Sequence, residues 1–563
     1  MKSLVQDPTL QYAIELGVAG LREGEKLSQD LPALNRIERL RLRQQTRRKA
    51  PLHAMKSVSP YSHHRSFNWR IFNSRFMRSR LDQIRVPAHN NRNTIDTFYY
   101  TPHQQKFRMR TLALEFDFDF FCADVEQDLL VIRMAEPFNM QGALQLRFLS
   151  FKSLQPHRET VFDNGFWHIP DGARILDSPV HISVSESLIL ISCTITREWP
   201  NVDPVHLVTI VNWRTGATER IFAYLPWRIS TTCVIAKRYL LIGGHRDGTP
   251  SMDVFHIGDT ADITSPQSPL HLSTFEFPEP NTAVRRGSLK SISLTESGPC
   301  SIGSPGGGDE SDFDGRCACD VNEEFHDDFL CRLLVMQVSY PRRDNQDRTG
   351  HHEIIAPLRV FIPRSHDEDA MHVVCSWAAW GPRNTRWFAN VHDRSKNPIW
   401  LRSDAWGPRL ARGNALLDFN TYDIMRENLR DPPQPNASSF SFRPFSTPHP
   451  FSYAPNFSSA SISFPSPTPF RQPLNPPLFS LTHSAANLTG GSPAIVTTPT
   501  IIRAIDGYLE DIVSYLPYRT TPFDVILTHR ALVLKENVIL GIKTDRHGIY
   551  QVDAFKIFDD VPT

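Results

Sequence analysis

The chain lacks what a secreted or membrane-spanning protein needs. Nowhere in its 563 residues does an uninterrupted apolar run approach the roughly eighteen residues of a membrane helix. The opening Met1-Lys2-Ser3-Leu4-Val5-Gln6-Asp7 holds no apolar core of a signal peptide. Cysteine is scarce, eight in all, and Cys122, Cys193, Cys233, Cys331 and Cys375 stand inside apolar stretches. A free thiol there behaves as a small hydrophobe. These features point to a reducing compartment, cytoplasm or nucleus. An excess of either charge is also lacking: 61 Lys and Arg against 60 Asp and Glu leave +1. That excludes a global pull toward nucleic acid or anionic lipid, so no nucleic-acid or membrane partner is expected. The basic run Arg36 to Lys49 reads as a solvated helix face.

Catalytic signatures are missing as well. There is no Walker sequence and no Gly-x-Ser-x-Gly. Cys317-Ala318-Cys319, with Cys300 and His326 nearby, misses the two-residue spacing of paired zinc cysteines. His351-His352-Glu353 lacks the second histidine of a zinc-protease helix, and Gly350 and Pro357 around it suggest a loop. Gly243-Gly244-His245-Arg246-Asp247-Gly248 has no following helix to hold a phosphate and reads as a turn between strands. No catalytic residue, cofactor or metal is assigned.

What is present is repetition. Val125-Glu-Gln-Asp-Leu-Leu-Val-Ile132 returns as Val184-Ser-Glu-Ser-Leu-Ile-Leu-Ile191, as Ile235-Ala-Lys-Arg-Tyr-Leu-Leu-Ile242, and as Leu534-Lys-Glu-Asn-Val-Ile-Leu540. Each copy reads as the end of one strand, a tight turn and a buried second strand. Further strand-like runs follow at Leu144–Leu149, His206–Val211, Met252–Phe255 and Ile549–Phe555. Repetition of one sheet motif is the mark of a β-propeller or a related array. The steps from Val125 to Val184 and from Val184 to Ile235 exceed the roughly 40–45 residues of a common blade. The expected fold is therefore mainly β, an irregular propeller-like array with short N-terminal helices and two disordered insertions.

Boundaries follow composition. Residues 1–50 read as helices: Asp7 can cap, Pro8 suits the first turn, and Leu10, Ile14 and Val18 recur at helical spacing before Gly20. A second helix carries Leu34, Ile37 and Leu40 on one face. Residues 51–92 read as a linker and 93–277 as the first part of the β-region. Residues 278–327 are rich in Ser, Gly, Pro and acid and read as a disordered insertion. The β-region resumes over 328–430. Residues 431–493, rich in Pro, Ser and Phe, form a second insertion, and 494–563 supply strands that close the array. Closure would place the terminal strand beside an early one.

Two places invite contact or modification. Trp377, Trp380, Arg383, Arg386 and Trp387 crowd three tryptophans and two arginines into a short stretch. Such residues serve recognition hot spots, and equally fill the core of a sheet array. Arg285-Arg286-Gly287-Ser288 resembles a site for a basophilic kinase, with Ser288 the acceptor in a flexible loop. Trp213-Arg214-Thr215-Gly216 reads as a strand end entering a turn, with Gly216 free to take positive φ.

Several segments, in order, resemble a large family of basidiomycete F-box proteins: Leu10-Gln-Tyr-Ala-Ile-Glu-Leu16 with Gly20-Leu21, Asp128-Leu-Leu-Val131, Val211-Asn-Trp-Arg-Thr-Gly216, Trp380-Gly-Pro382 with Arg386-Trp387, and Ala415-Leu-Leu-Asp-Phe-Asn420. The resemblance implies a WD-repeat-like β-region that holds a target protein for an SCF-type ubiquitin ligase. It also implies an F-box, ahead of the Leu-Gln-Tyr helix, that docks the Skp adaptor and through it a cullin. No Leu-Pro-x-Glu-opened segment precedes that helix here. Either the F-box lies upstream of this sequence, or this is a relative that has lost adaptor docking. No adaptor-contact residue is therefore assigned. A stand-alone interaction scaffold is the alternative, and a propeller hydrolase the second alternative.

Overall fold

The strands gather into sheets in chain order. The computed structural model describes the chain between residues 7 and 556 with gaps, the longest at 55–68, 81–93, 135–144, 258–269, 295–324, 391–404 and 431–493. Among the described residues, seven sheets hold four or five strands each. The first is built from Trp69–Phe72, Arg75–Arg80, Thr94–Thr101 and Lys106–Ala113. The second runs Phe118–Asp124, Leu129–Met134, Gln145–Ser150 and Phe166–His168. In the third, His181–Ser185, Leu188–Thr196, Val205–Asn212 and Thr218–Ala223 pair in turn, with Arg174–Ile175 beside the second of them. The fourth joins Arg228–Ile235, Tyr239–Arg246, Thr249–His256 and Leu270–Glu276, with Val373–Cys375 added parallel at its edge.

Ser288–Leu294, Leu333–Pro341, Thr349–Pro357 and Arg386–Asn390 make the fifth sheet. The sixth combines Ala405–Trp406, Arg409–Arg412, Ala415–Asp418, Tyr518–Pro522 and Ala494–Val496. The seventh consists of Ala531–Lys535, Val538–Asp545 and Gly548–Lys556, completed by His53–Ala54 from near the other end of the chain. In the first five sheets the leading strand lies against the leading strand of the next. The second strand of the fifth sheet, Leu333–Pro341, touches Ala405–Trp406, which in turn touches Ala531–Lys535. This is a propeller-like array, and its last sheet is finished by the pairing of Ala54 with Phe555. Among the described residues no helix is long and apolar enough to cross a membrane.

The apolar runs of the repeat now have a cause. A strand packed on one face alternates apolar and polar; one packed on both reads as a continuous run. Leu129 and Val131 pack toward the third sheet, while Leu130 and Ile132 pack toward the first. Ile189 and Ile191 face the second sheet, and Leu188 and Leu190 the fourth. Leu334 and Met336 face the fourth sheet, Leu333 and Val335 the sixth. Each of these side chains is within about 1% of complete burial, which contributes roughly 1.5–3 kcal/mol apiece.

The turn in the first copy is held by its own acids. Asp128 takes positive φ, +58°. Its carboxylate accepts from Ser150 Oγ at 2.6 Å and from the Lys152 amide at 2.8 Å. Gly216 likewise takes φ +74°, as its turn requires, and Trp213 is fully buried.

Several boundaries differ from the sequence reading. The linker over 51–92 already holds strands, because Trp69–Phe72 and Arg75–Arg80 pair as a hairpin. The serine-rich stretch 278–327 contains Ser288–Leu294, whose apolar and polar residues alternate on either side of a bulge and pair with Leu334–Ser339. The rest of that expected insertion, and all of 431–493, lies outside the described residues apart from Phe325–Asp327 and the tail of the fourth sheet. The closing segment 494–563 is shared: Ala494–Val496 and Tyr518–Pro522 belong to the sixth sheet. His351-His352-Glu353 runs inside a strand, where Glu353 is buried and accepts from Arg412 Nε at 3.1 Å. Gly243–Arg246 is also strand, extended opposite Thr249–Met252.

The described elements also include four α-helices: α1, Pro8–Ala19; α2, Ala33–Lys49; α3, Trp377–Asn384; and α4, Thr421–Arg430. In α1 the Asp7 carboxylate accepts the Thr9 amide at 2.8 Å and Pro8 occupies the first turn. Gly20 ends it at φ +64°, where a Cβ would sit 3.0 Å from Cys331 Sγ.

Candidate interaction surfaces

The tryptophan-arginine stretch is mostly core. Ser376 precedes α3, and Trp380 turns inward, its indole N–H donating to the Glu276 carbonyl at 2.8 Å. Its ring meets Phe275, Phe277, Phe361 and Trp377 edge-on, at centroid distances between 5.2 and 5.6 Å. Trp387 is fully buried between Trp377 and Tyr508. Arg386 is buried as well: its guanidinium donates to the Thr498 carbonyl at 2.8 Å and lies 4.9 Å from the Tyr518 ring. Burial lowers its pKa from the usual guanidinium value. Trp377 is half-buried, and of the five only Arg383 is exposed. The stretch joins the fourth and fifth sheets, so three of the five residues are withdrawn from any partner.

Ser288 begins a strand, its Cα opposite that of Ser339. Its backbone is therefore paired, unlike the flexible loop expected of a kinase acceptor. Cys300, Cys317 and Cys319 lie outside the described residues, and His326 sits in the short strand Phe325–Asp327.

A polar cluster that no motif announced lies in the fourth sheet. Asp253, fully buried, accepts from Thr274 Oγ1 at 2.5 Å and pairs with His271 Nε2 at 3.0 Å. His372 Nε2 reaches Thr274 Oγ1 at 2.9 Å. A consistent proton arrangement has both imidazoles donating from Nε2 and the threonine donating to the carboxylate. The network fastens the added strand Val373–Cys375 to the sheet. Among the described residues no three His, Cys, Asp or Glu side chains form a metal-holding group.

Among the described residues, the N-terminal helical hairpin holds four exposed large apolar side chains, Leu10, Ile14, Leu34 and Leu42. Tyr12, Leu16 and Ala19 of α1 pack against Ile37 and Leu40 of α2. The hairpin is fastened to the sheet array at three points. Leu21–Glu23 pairs antiparallel with Phe325–Asp327. The Asn420 side-chain amide donates to the Val18 carbonyl at 2.9 Å, satisfying an end of α1. Glu15, the one charged residue of α1, points inward to Arg426 of α4 and to Arg41 of α2, the latter at 3.0 Å. Burial raises its carboxyl pKa, but hydrogen bonds and charge from Arg426 and Arg41 outweigh that and hold it below the ordinary carboxylate range. Beside this joint Arg519 bonds Asp423 at 3.1 Å, and the remaining cavity is about 20 Å³, room for one water.

With its inward face so occupied, α1 turns Leu10, Ala13, Ile14 and Gly17 outward, Leu10 39% and Ile14 55% exposed. Helical spacing revealed the Leu10–Ile14–Val18 stripe, but the core takes the Tyr12–Glu15–Ala19 side. Leu34, expected beside Ile37 and Leu40, is instead 61% exposed. The signal available in the sequence was Glu15, whose partners lie on other elements.

No family model matches this chain, and no curated protein matches it. Three solved structures illustrate its structural likenesses. Kluyveromyces lactis Hsv2 is 9% identical, at a TM-score of 0.29 over 63% of this chain and 93% of that one. The WD40 domain of SCAP from fission yeast is 9% identical, at 0.28 over 66% and 82%. Oligopeptidase B from Trypanosoma brucei is 11% identical, at 0.23 over 51% and 38%. These likenesses are too distant to carry an argument, and the propeller-like architecture stands on the chain's own sheets.

Proposed function

We propose that this chain is a non-catalytic protein-binding scaffold. The observation that carries the reading is the three-point attachment of the helical hairpin to the sheet array, across some three to four hundred residues of sequence. A helix pair held on a strand pairing, a capped carbonyl and a buried ion pair is presented at a fixed angle. Its outward apolar face is then available to a partner at little ordering cost. Loops on the rigid sheets offer further contact positions.

The narrower form of the reading is a substrate receptor for an SCF-type ubiquitin ligase. Its support is the ordered resemblance to the F-box family. Two of the resembling segments, Leu10–Leu21 and Ala415–Asn420, also meet in space, at the Asn420–Val18 bond. The test is affinity capture with cross-linking and mass spectrometry from the native organism. Co-capture of a Skp adaptor and a cullin supports the receptor. Stoichiometric partners without them leave a stand-alone scaffold. A chain that captures nothing, while turning over a substrate, overturns both.

A further inference from the structure

The joint between the helical hairpin and the sheet array holds a polar group with nothing to bond. Gln44 of α2 is half-buried, and its amide Nε2 is shut off from solvent without a hydrogen-bond partner. Such a group is costly to leave unpaired, so a native fold ordinarily supplies it with protein or with water. Gln44 lines the cavity of about 20 Å³ at this joint, together with Arg409, Asp418 and Arg519 of the sixth sheet and Asp423 of α4. A second mismatch lines the same space. Asp418 Oδ1 accepts the Asn420 amide at 3.0 Å, but Oδ2 stands 3.7 Å from Arg409 Nε and 3.9 Å from Arg519 Nη1. Both distances exceed the roughly 3.2 Å limit of an N–H···O hydrogen bond. Arg519 gives its short contact to Asp423, at 3.1 Å. Polar contacts as long as those of Oδ2 are where a bridging water belongs.

Size and charge select the occupant. A cavity of about 20 Å³ has room for one water and for no organic ligand. Its ionic lining is balanced, two arginines against two carboxylates. A bare cation would meet two guanidinium groups and an amide N–H; an anion would meet two carboxylates. The lining instead calls for one small neutral species that accepts from Gln44 and donates to Asp418. Water does both, and a buried water typically makes about three hydrogen bonds, a number that Gln44, Asp418 and one arginine supply.

We propose that this cavity binds one ordered water, which accepts from Gln44 Nε2, donates to Asp418 Oδ2 and so ties α2 to the sixth sheet. The Asn420–Val18 bond and the Glu15–Arg426 pair hold α1, and the pairing of Leu21–Glu23 holds the strand after it. The water gives α2 an attachment of its own. The site goes beyond the scaffold reading and needs no partner to exist. The test is a crystal structure of the full chain, wild type and Gln44→Leu, at a resolution that shows single waters. Hydrogen exchange of α2 is measured alongside, in both chains, in Asp418→Asn and in the double variant. Gln44→Leu keeps the bulk of the side chain and removes its amide. The expected result is one peak within hydrogen-bond reach of Gln44 and Asp418 in wild type, lost in Gln44→Leu. The amides of α2 should exchange about three- to tenfold faster in each single variant. No protein hydrogen bond joins Gln44 Nε2 to Asp418, so coupling between them reports the water. The double variant should therefore exchange no faster than the worse single one.

Single effects that multiply in the double variant overturn the proposal, and so does unchanged exchange in Gln44→Leu. A wild-type structure in which Gln44 bonds a protein group directly overturns it as well. A peak held by oxygen atoms at about 2.3–2.6 Å assigns the site to a metal cation instead. Should Gln44→Leu not crystallise, the exchange cycle alone decides. Failure here is distinct from failure of the scaffold reading, which rests on the direct attachments and is judged by affinity capture: a Gln44→Leu chain that captures the wild-type partners keeps that reading whatever the cavity holds.

Discussion

Two apolar regions of this molecule exchange the roles their composition suggests. The stretch Trp377–Trp387 carries the residues that recognition surfaces favour, yet Trp380, Arg386 and Trp387 are buried. Helix α1 looks like an ordinary core helix, yet Leu10 and Ile14 face solvent. The difference comes from what each region must satisfy. The tryptophans lie between two sheets, where Trp380 and Trp387 pack among aromatic rings, and the Trp380 indole N–H finds a backbone partner in the Glu276 carbonyl. In α1 the buried side combines an apolar cluster, Tyr12, Leu16 and Ala19, with Glu15, whose carboxylate meets two arginines there.

The sharpest break of this comparison is Trp387→Ala set against Arg383→Ala. Trp387 is fully buried among aromatic rings, and its truncation leaves a cavity costing about 3–5 kcal/mol. Arg383 is exposed at the last turn of α3, and its truncation is expected to change stability by no more than about 0.5 kcal/mol. Denaturant midpoints for both variants check this. Equal, small effects would return the tryptophans to the surface.

The second break is Glu15→Ala. It leaves Arg426 and Arg41 without their carboxylate and is expected to cost about 1–3 kcal/mol, read as faster hydrogen exchange across α1 and α2. The same group makes the joint sensitive to acid. Its pKa is depressed in the folded state, so its stabilisation is fully present above the unfolded carboxyl value of about 4.3. It is lost as pH falls through the lower folded value. Exchange protection of the hairpin should therefore hold from neutral pH to about 5 and fall below about 4 in wild type. The fall should be shallower in Glu15→Gln.

Much of the array was legible because its strands are buried on both faces. Leu129–Ile132, Leu188–Ile191 and Tyr239–Ile242 form unbroken apolar runs after a tight turn, a pattern that survives irregular loop lengths. The helix ends were legible too, since Asp7, Pro8 and Gly20 act through local geometry alone. Ser288–Leu294 was not, because serine-rich composition masks a short alternation and its pairing partner lies some forty to fifty residues on. The Asp253–His271–Thr274–His372 cluster was equally hidden, for its members come together only when Val373–Cys375 returns to the edge of the fourth sheet. Which side of α1 is buried depended on Arg426 and Asn420, four hundred residues away. Periodicity shows that a stripe exists; only tertiary partners decide where it points.

The smallest effect tests the α1 side most finely. Glycine inside a helix costs roughly 0.5–1 kcal/mol relative to alanine, through backbone freedom lost on folding. Gly17 has open space around its missing side chain, so nothing in the fold requires it. Gly17→Ala should therefore raise the stability of the chain by up to about 0.5–1 kcal/mol, seen as a higher denaturant midpoint. A gain of that size would mean that the open space at Gly17 persists in solution and that no contact within the fold calls for the glycine. No gain, or a loss, would mean that α1 already packs against something at Gly17, and the contrast between its two faces would fall.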